Sequence, residues 1–263
     1  AMVQPWARTV SKTPKSIPVS LGYSRQAHEA PSGALQLALE RPDTFDIRVN
    51  GQLVSRDAES GWWCDRSMKT IPLDPNLFRK GENELVLDCR YDETHPGLEM
   101  VYLLGGFGVK VKGADVALIS RPDTLAVGDW TTQGLAFFGG SLTYRKTVKA
   151  KAGKNERLYV QVPSYAGVGV RVIVDGQPVG VIAWEPNEID ITDAVRGESF
   201  ELRLELLGHR RNSHGPLHLA NRQPIWTGPS EFVKTGEQWA DAYQLVKTGL
   251  TDAPKLVIKR SVR

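Results

Sequence analysis

The chain has 263 residues, 41% hydrophobic and 24% charged, and a formal net charge of +3. That balance belongs to a folded globular protein, and no apolar run approaches the roughly 20 residues that a membrane-spanning helix needs. Its basic residues are scattered apart from Arg210-Arg211 and the stretch from Lys259 to Arg263, which argues against nucleic acid as a partner and against membrane insertion.

No signal-peptide pattern opens the chain, and the leading Ala1-Met2 reads as a cloning scar on a piece of a longer protein. Residues 1 to about 30 are rich in Pro, Ser, Lys and Arg and hold no sustained period, which predicts an irregular lead-in. Leu35, Leu37 and Leu39 alternate with Gln36 and Ala38 and predict the first clear strand. Phe45, Ile47 and Val49 lead into V-N-G-Q-L-V at Val49 to Val54. Asn-Gly accepts positive φ at both central turn positions, so this motif predicts a tight hairpin. Glu59 to Arg66 then carries two adjacent indoles, Trp62 and Trp63, on a loop or strand edge. Leu73 to Phe78 predicts a single helical turn, Leu85 to Tyr91 and Val101 to Leu104 two strands, and Gly105 to Gly108 a turn.

The composition changes near Arg121-Pro122, and the second half sets in around Val127. Strands are expected at Ser141 to Val148, Leu158 to Val162 and Val168 to Val174, the last ending in V-D-G-Q-P-V, a second hairpin. Phe200, Leu202, Leu204 and Leu206 face one way, with Glu201, Arg203 and Glu205 between them. A polar loop, Gly208 to His218, precedes short strands expected near Tyr243 to Val246 and Leu256 to Lys259. Val49 and Val174 stand 125 residues apart, and Gly81 and Gly197 stand 116 apart. Two similar offsets over a matching order of features indicate a duplicated unit. No stretch holds a helical period for more than about two turns. The expectation is an all-β chain of two tandem antiparallel β-sandwich domains, 1–122 and 123–263, each large enough for its own core.

From Tyr144-Arg145-Lys146 through the V-D-G-Q hairpin to I-D-I-T-D (Ile189 to Asp193) and F-E-L-R-L-E-L (Phe200 to Leu206), the second half resembles the galactose-binding-like jelly roll. More narrowly, it is similar to the sugar-binding domains attached to glycoside hydrolase family 2 and related large bacterial rhamnosidase-like enzymes. The first half, with its N-G hairpin and K-G-E-N-E-L at Lys80 to Leu85, resembles a second copy. G-H-R-R-N-S-H-G-P-L-H at Gly208 to His218 and G-P-S-E-F at Gly228 to Phe232 also resemble features of such enzymes. The likeness spans most of residues 35–260. It implies non-catalytic jelly rolls, a poly- or oligosaccharide ligand, and a parent enzyme whose catalytic domain lies elsewhere. An extracellular or periplasmic location is implied too. No cofactor is required, although loops of this fold often hold structural calcium.

A flat indole can stack on the apolar C–H face of a sugar, so Trp62, Trp63 and Trp184 are candidate platforms. The alternative for the first two is core packing, and since neighbouring strand residues point to opposite faces, at most one of them belongs to the core. Trp130, Trp226 and Trp239 are read as fillers of the sandwich or of the seam between halves. Arg66 can contact a hydroxyl or carboxylate, or sit in a solvated ion pair. His209, Arg210, Arg211, Asn212, His214 and His218 form the densest polar cluster, and its first five residues are candidates for a uronate or sulfate and equally for structural anchoring. Gly215 and Pro216 break any helix that would set His214 and His218 on one face, which argues against zinc. Asp92, Glu93 and Glu99, near His95, are the oxygen ligands a calcium would use, against the plainer reading of an acidic loop. Cys64 and Cys89 can pair in an oxidising compartment or remain buried thiols.

The chain lacks G-x-S-x-G, H-E-x-x-H, a Walker loop, C-x-x-C and a dinucleotide fingerprint. Three functions stay open: a carbohydrate-binding accessory module, a structural module buttressing a catalytic domain, and a small polysaccharide-active enzyme using the 209–218 loop.

Overall fold

A computed structural model describes residues 11–55, 59–98, 100–221 and 224–260. The described chain is nearly all β, and the only α-helix among these residues is a single turn, α1 (Arg211–His214). Two compact units are present. One runs to Gly108 and takes in Val116–Arg121; the other comprises Val109–Asp115 and the chain from Pro122 onward.

The first unit holds β1 (Ile17–Ala27), β2 (Leu35–Glu40), β3 (Asp46–Val49), β4 (Gln52–Val54), β5 (Gly61–Trp63), β6 (Asp65–Leu73), β7 (Gly81–Tyr91) and β8 (Tyr102–Gly105). The division falls within β9 (Phe107–Lys112), and β10 (Asp115–Ser120) returns to the first unit. Five strands run in the order β4-β3-β7-β1-β10, and a facing sheet runs β5-β6-β2-β8. Leu35, Leu37, Leu39 and Ile71 from one sheet meet Ile47, Val49 and Leu87 from the other in a buried core. Alternation within each strand places every second residue there.

The second unit holds β11 (Leu142–Lys149), β12 (Glu156–Gln161), β13 (Tyr165–Ala166), β14 (Gly169–Val174), β15 (Gln177–Ile182), β16 (Glu188–Asp190), β17 (Ser199–Leu207), β18 (Gly249–Leu250) and β19 (Lys255–Arg260). Its sheets run β15-β14-β17-β11 and β16-β12-β19, with β13 and β18 paired separately. The buried faces of β12, β14 and β17 close on Trp130, Ile182 and Leu250. The order hairpin, third strand, first strand recurs in both units, as β4-β3-β7-β1 and as β15-β14-β17-β11. In the facing sheets β2 and β12 are each flanked on both sides. A repeated connectivity of this kind is what the repeated sequence features predict.

Three expectations need correction. Ile17–Ala27 is not part of an irregular lead-in but an 11-residue strand paired along its whole length with β7, from Ile17 opposite Tyr91 to Ala27 opposite Gly81. Val19, Leu21 and Tyr23 turn toward the core and alternate cleanly with Ser20, Gly22 and Ser24, but the Pro, Ser and Lys residues around them give the stretch a loop-like composition. The residues before Ser11 lie outside those described. Val168 does not open the strand expected from it to Val174; it precedes β14 and is exposed, unlike the buried Val170 and Val172. Residues 243–246 form no strand, because their backbone groups bond to loop partners, Tyr243 N–H to Gly113 and Gln244 N–H to Leu217.

Candidate functional site

Trp62 and Trp63 sit on β5, a three-residue strand at the edge of its sheet. An edge strand has a single neighbour, and Trp62 stands opposite Lys69 with its indole 57% exposed. Pairing shifts register after Trp62, and the next residue turns to the other face. Trp63 is half-buried, its ring 4.9 Å from that of Tyr102. Burial first, and Cys64 second, push the Tyr102 hydroxyl up to about 12. Arg66 is exposed at the start of β6, while Lys69 is held by Glu59 at 2.8 Å. Cys64 is exposed, not buried as one reading of the sequence expected, while Cys89 is buried, and no disulfide joins them.

Trp184 follows β15, and its indole is 80% exposed. The turn beneath it is closed by Asn187, whose N–H donates to the Trp184 carbonyl at 3.1 Å and whose φ is 56°. Asn is among the few side chains that adopt that left-handed conformation readily. The same residue's amide donates to Glu185 Oε1 at 2.8 Å, and its carbonyl accepts from Val162 N–H at 2.9 Å. The indole therefore projects from a turn tied to the sandwich.

The Gly208 to His218 loop leaves β17 at the same end of the sheet. Gly169 of β14 pairs with Leu207, and Val170 pairs with both Leu206 and Ile182, so the end of β15 and the end of β17 flank the start of β14. Gly208 passes so close to Gly140 that a Cβ would lie 2.1 Å from its carbonyl oxygen. Beyond it most polar groups are engaged internally. Asn212 is buried, its amide donating to Val246 O at 2.8 Å and accepting from Val246 N–H at 2.9 Å. His209 Nε2 lies 3.0 Å from Thr248 Oγ1. Arg211 is half-buried: Nη1 donates to Pro216 O at 3.3 Å, Nη2 has no partner, and burial lowers the guanidinium pKa. His214 Nδ1 is 2.8 Å from Ser213 Oγ, and burial together with the Arg210 charge lowers its pKa. Only Arg210 of this group is exposed.

The fold thus brings Trp184 and Arg210 to one end of one sheet, whereas Trp62, Trp63 and Arg66 belong to the other unit. Trp130 is buried, as expected, and Trp239 stacks on His218 with ring centroids 4.6 Å apart. Trp226 is no core filler: it is 69% exposed, beside the fully exposed Ile225. Sequence reasoning missed it because large aromatics are usually buried, and only the lack of any strand pattern around it hinted otherwise. In the acidic loop Asp92 Oδ1 accepts from Thr94 N–H at 2.8 Å and Oγ1 at 2.6 Å, and the Thr94 hydroxyl is the main cause that lowers its pKa. Glu93 accepts from Ser11 N–H at 2.8 Å. Glu99 lies outside the described residues, and among those described no three His, Cys, Asp or Glu groups are arranged to hold a metal ion.

No family model and no curated protein matches the sequence. Among solved structures, a rhamnosidase from Novosphingobium sp. PP1Y is similar over 91% of this chain at 15% identity, with a TM-score of 0.37. The chain spans 23% of that rhamnosidase's length. An anti-sigma factor domain-containing protein is similar over 73% of this chain and 76% of its own, at 10% identity and a TM-score of 0.22.

Proposed function

We propose that this chain is a non-catalytic carbohydrate-binding module of a larger glycoside hydrolase, holding glycan by stacking on loop indoles. One observation carries the reading. In both units the chain that follows the hairpin presents an exposed tryptophan, Trp62 on β5, the edge strand of the facing sheet, and Trp184 on the turn between β15 and β16. Exposing an indole forgoes a burial worth roughly 1.5–3 kcal/mol for a large apolar side chain. A stacked pyranose ring recovers part of that. Arg210, at the same end of the sheet as Trp184, adds a hydroxyl or carboxylate contact. Tethered to a catalytic domain, such a module raises the local concentration of substrate. A purely buttressing role is the second reading, supported by the internal engagement of Asn212 and His209 in the loop after β17.

Titration with neutral and acidic oligosaccharides, followed by tryptophan fluorescence, tests the proposal. A saturable change lost in Trp62→Ala and Trp184→Ala supports binding. Silence across the panel supports buttressing.

A further inference from the structure

The stretch from Arg145 to Lys154 holds five basic residues and no acid, more positive charge than the net +3 of the whole chain. It is a third concentration of cations, beside Arg210-Arg211 and the last residues of the chain. β11 is the edge strand of its sheet, and the loop after it carries the run on to Lys151 and Lys154. All five basic residues are exposed.

Strand alternation sorts the side chains. Leu142, Tyr144 and Val148 pack on the core, so Thr143, Arg145, Thr147 and Lys149 take the outer face, where hydroxyl and cation alternate about 7 Å apart. Arg145 stands directly opposite Arg203 of β17, and like charges so placed repel. Glu201 answers both, its carboxylate 2.5 Å from Arg203 Nε and 3.6 Å from Arg145 Nε. Lys146, Lys149, Lys151 and Lys154 bond to no carboxylate among the described residues, and the Thr143 and Thr147 hydroxyls are likewise unengaged there.

Lysine on an edge strand discourages unwanted strand pairing, but that role ends with the strand, whereas the run continues past Lys149 to Lys154. A row of uncompensated cations repels itself and attracts a linear polyanion. The alternation selects which one. Hydroxyls set between cations suit a chain that bears both acidic groups and hydroxyls, while a phosphate backbone would use the cations alone. Tyr144 is the one aromatic residue of β11 and packs on the core, so the strip offers no ring on which a base could stack. Leu142 pairs with Leu206, which starts the strip at the end of the sheet where Arg210 and Trp184 stand. We propose that this strip binds an acidic polysaccharide, a linear chain of uronate or sulfated sugars lying along β11. The inference rests on the carbohydrate-binding reading and supplies its substrate class.

The test is an amide-resolved NMR titration of the whole ¹⁵N-labelled chain with oligogalacturonate and with chondroitin sulfate oligosaccharides. Saturable shifts at Thr143, Arg145, Thr147 and Lys149 are expected with at least one of them. Affinity should fall about tenfold as salt rises from about 50 to about 200 mM. Lys149→Gln/Lys151→Gln should weaken binding about tenfold. Lys15→Gln/Lys80→Gln, which removes the same charge from exposed positions of the first unit, should leave it unchanged. The proposal is overturned if neither oligosaccharide shifts these amides, if affinity is indifferent to salt, or if the two double variants weaken binding equally. It is also overturned if a short DNA duplex or a neutral cello-oligosaccharide shifts the same amides as strongly. A fluorescence response to neutral sugars at Trp62 and Trp184, with the β11 amides silent toward both acidic oligosaccharides, overturns the strip and leaves the indole reading standing.

Discussion

Asn50 and Asp175 hold the same station in their respective units. Each opens its hairpin turn in left-handed backbone, φ 49° and 46°. Each exchanges two hydrogen bonds with one residue of the neighbouring strand. Asn50 N–H donates to Glu84 O at 2.8 Å and its Oδ1 accepts Glu84 N–H at 3.0 Å. Asp175 does the same with Glu201, at 3.0 and 2.8 Å. The hairpin is thereby locked to β7 in one unit and to β17 in the other.

The two residues are not interchangeable. Asn50 Nδ2 also donates to Leu77 O at 2.8 Å and to Asn83 Oδ1 at 2.9 Å, a task no carboxylate can perform. Asn50→Asp should cost about 2–3 kcal/mol, since it sets a charge against two acceptors, while Asp175→Asn should be nearly neutral. Urea unfolding of the two single variants checks this, and equal effects would contradict it.

Exposure separates the tryptophans. Trp184→Ala should leave thermal stability within about 0.5 kcal/mol and reduce the sugar-induced fluorescence change to the share contributed by Trp62. Trp130→Ala empties the core of the second unit and should cost about 3–5 kcal/mol. Thermal melts paired with the oligosaccharide titration distinguish the two roles.

Asp190 gives the second unit an acid-sensitive tie. Burial raises its pKa, but the Thr192 hydroxyl, Arg157 and the Thr192 amide more than offset that and hold it at about 2. The Thr192 hydroxyl donates to Asp190 Oδ1 at 2.7 Å and accepts Leu158 N–H at 2.7 Å, so the carboxylate fastens β16 to β12. A carboxylate depressed from its ordinary 3.8 stabilises the fold above that pH, and the contribution is lost as pH falls toward 2. Asp190→Asn should therefore destabilise by roughly 1–2 kcal/mol at neutral pH, allowing for partial solvent screening. Unfolding measured across this pH range should show wild type and variant converging at its acid end.

The loop after β17 divides by residue. Asn212→Ala removes a buried amide that bonds both the N–H and the carbonyl of half-buried Val246, and should cost about 1–3 kcal/mol. Arg210→Ala should change stability by no more than about 0.5 kcal/mol and weaken the binding of acidic sugars more than that of neutral ones. Denaturation and titration of both variants test the division.

Local chemistry carried much of this architecture. Asn-Gly and Asp-Gly specify tight turns whatever surrounds them, and clean alternation in Phe200 to Leu206 exposes one face and buries the other. Tandem hairpins, the all-β class and the duplicated order of features follow from such short-range rules. β1 escaped although Ile17, Val19, Leu21 and Tyr23 alternate cleanly, because its Pro-, Ser- and Lys-rich surroundings have the composition of a loop, and its long pairing with β7 joins residues up to 74 apart.

Side-chain surroundings belong to another scale. Nothing local to Trp226 or Trp130 distinguishes an exposed indole from a buried one, because burial depends on what distant strands deliver to the same place. The same holds for opposed charges: strand register alone sets Asp46 opposite Asp88, more than 40 residues along the chain. Turn and strand chemistry is written in neighbouring residues and survives without the rest of the chain. Exposure and opposed charges exist only after long-range pairing has closed the sheets.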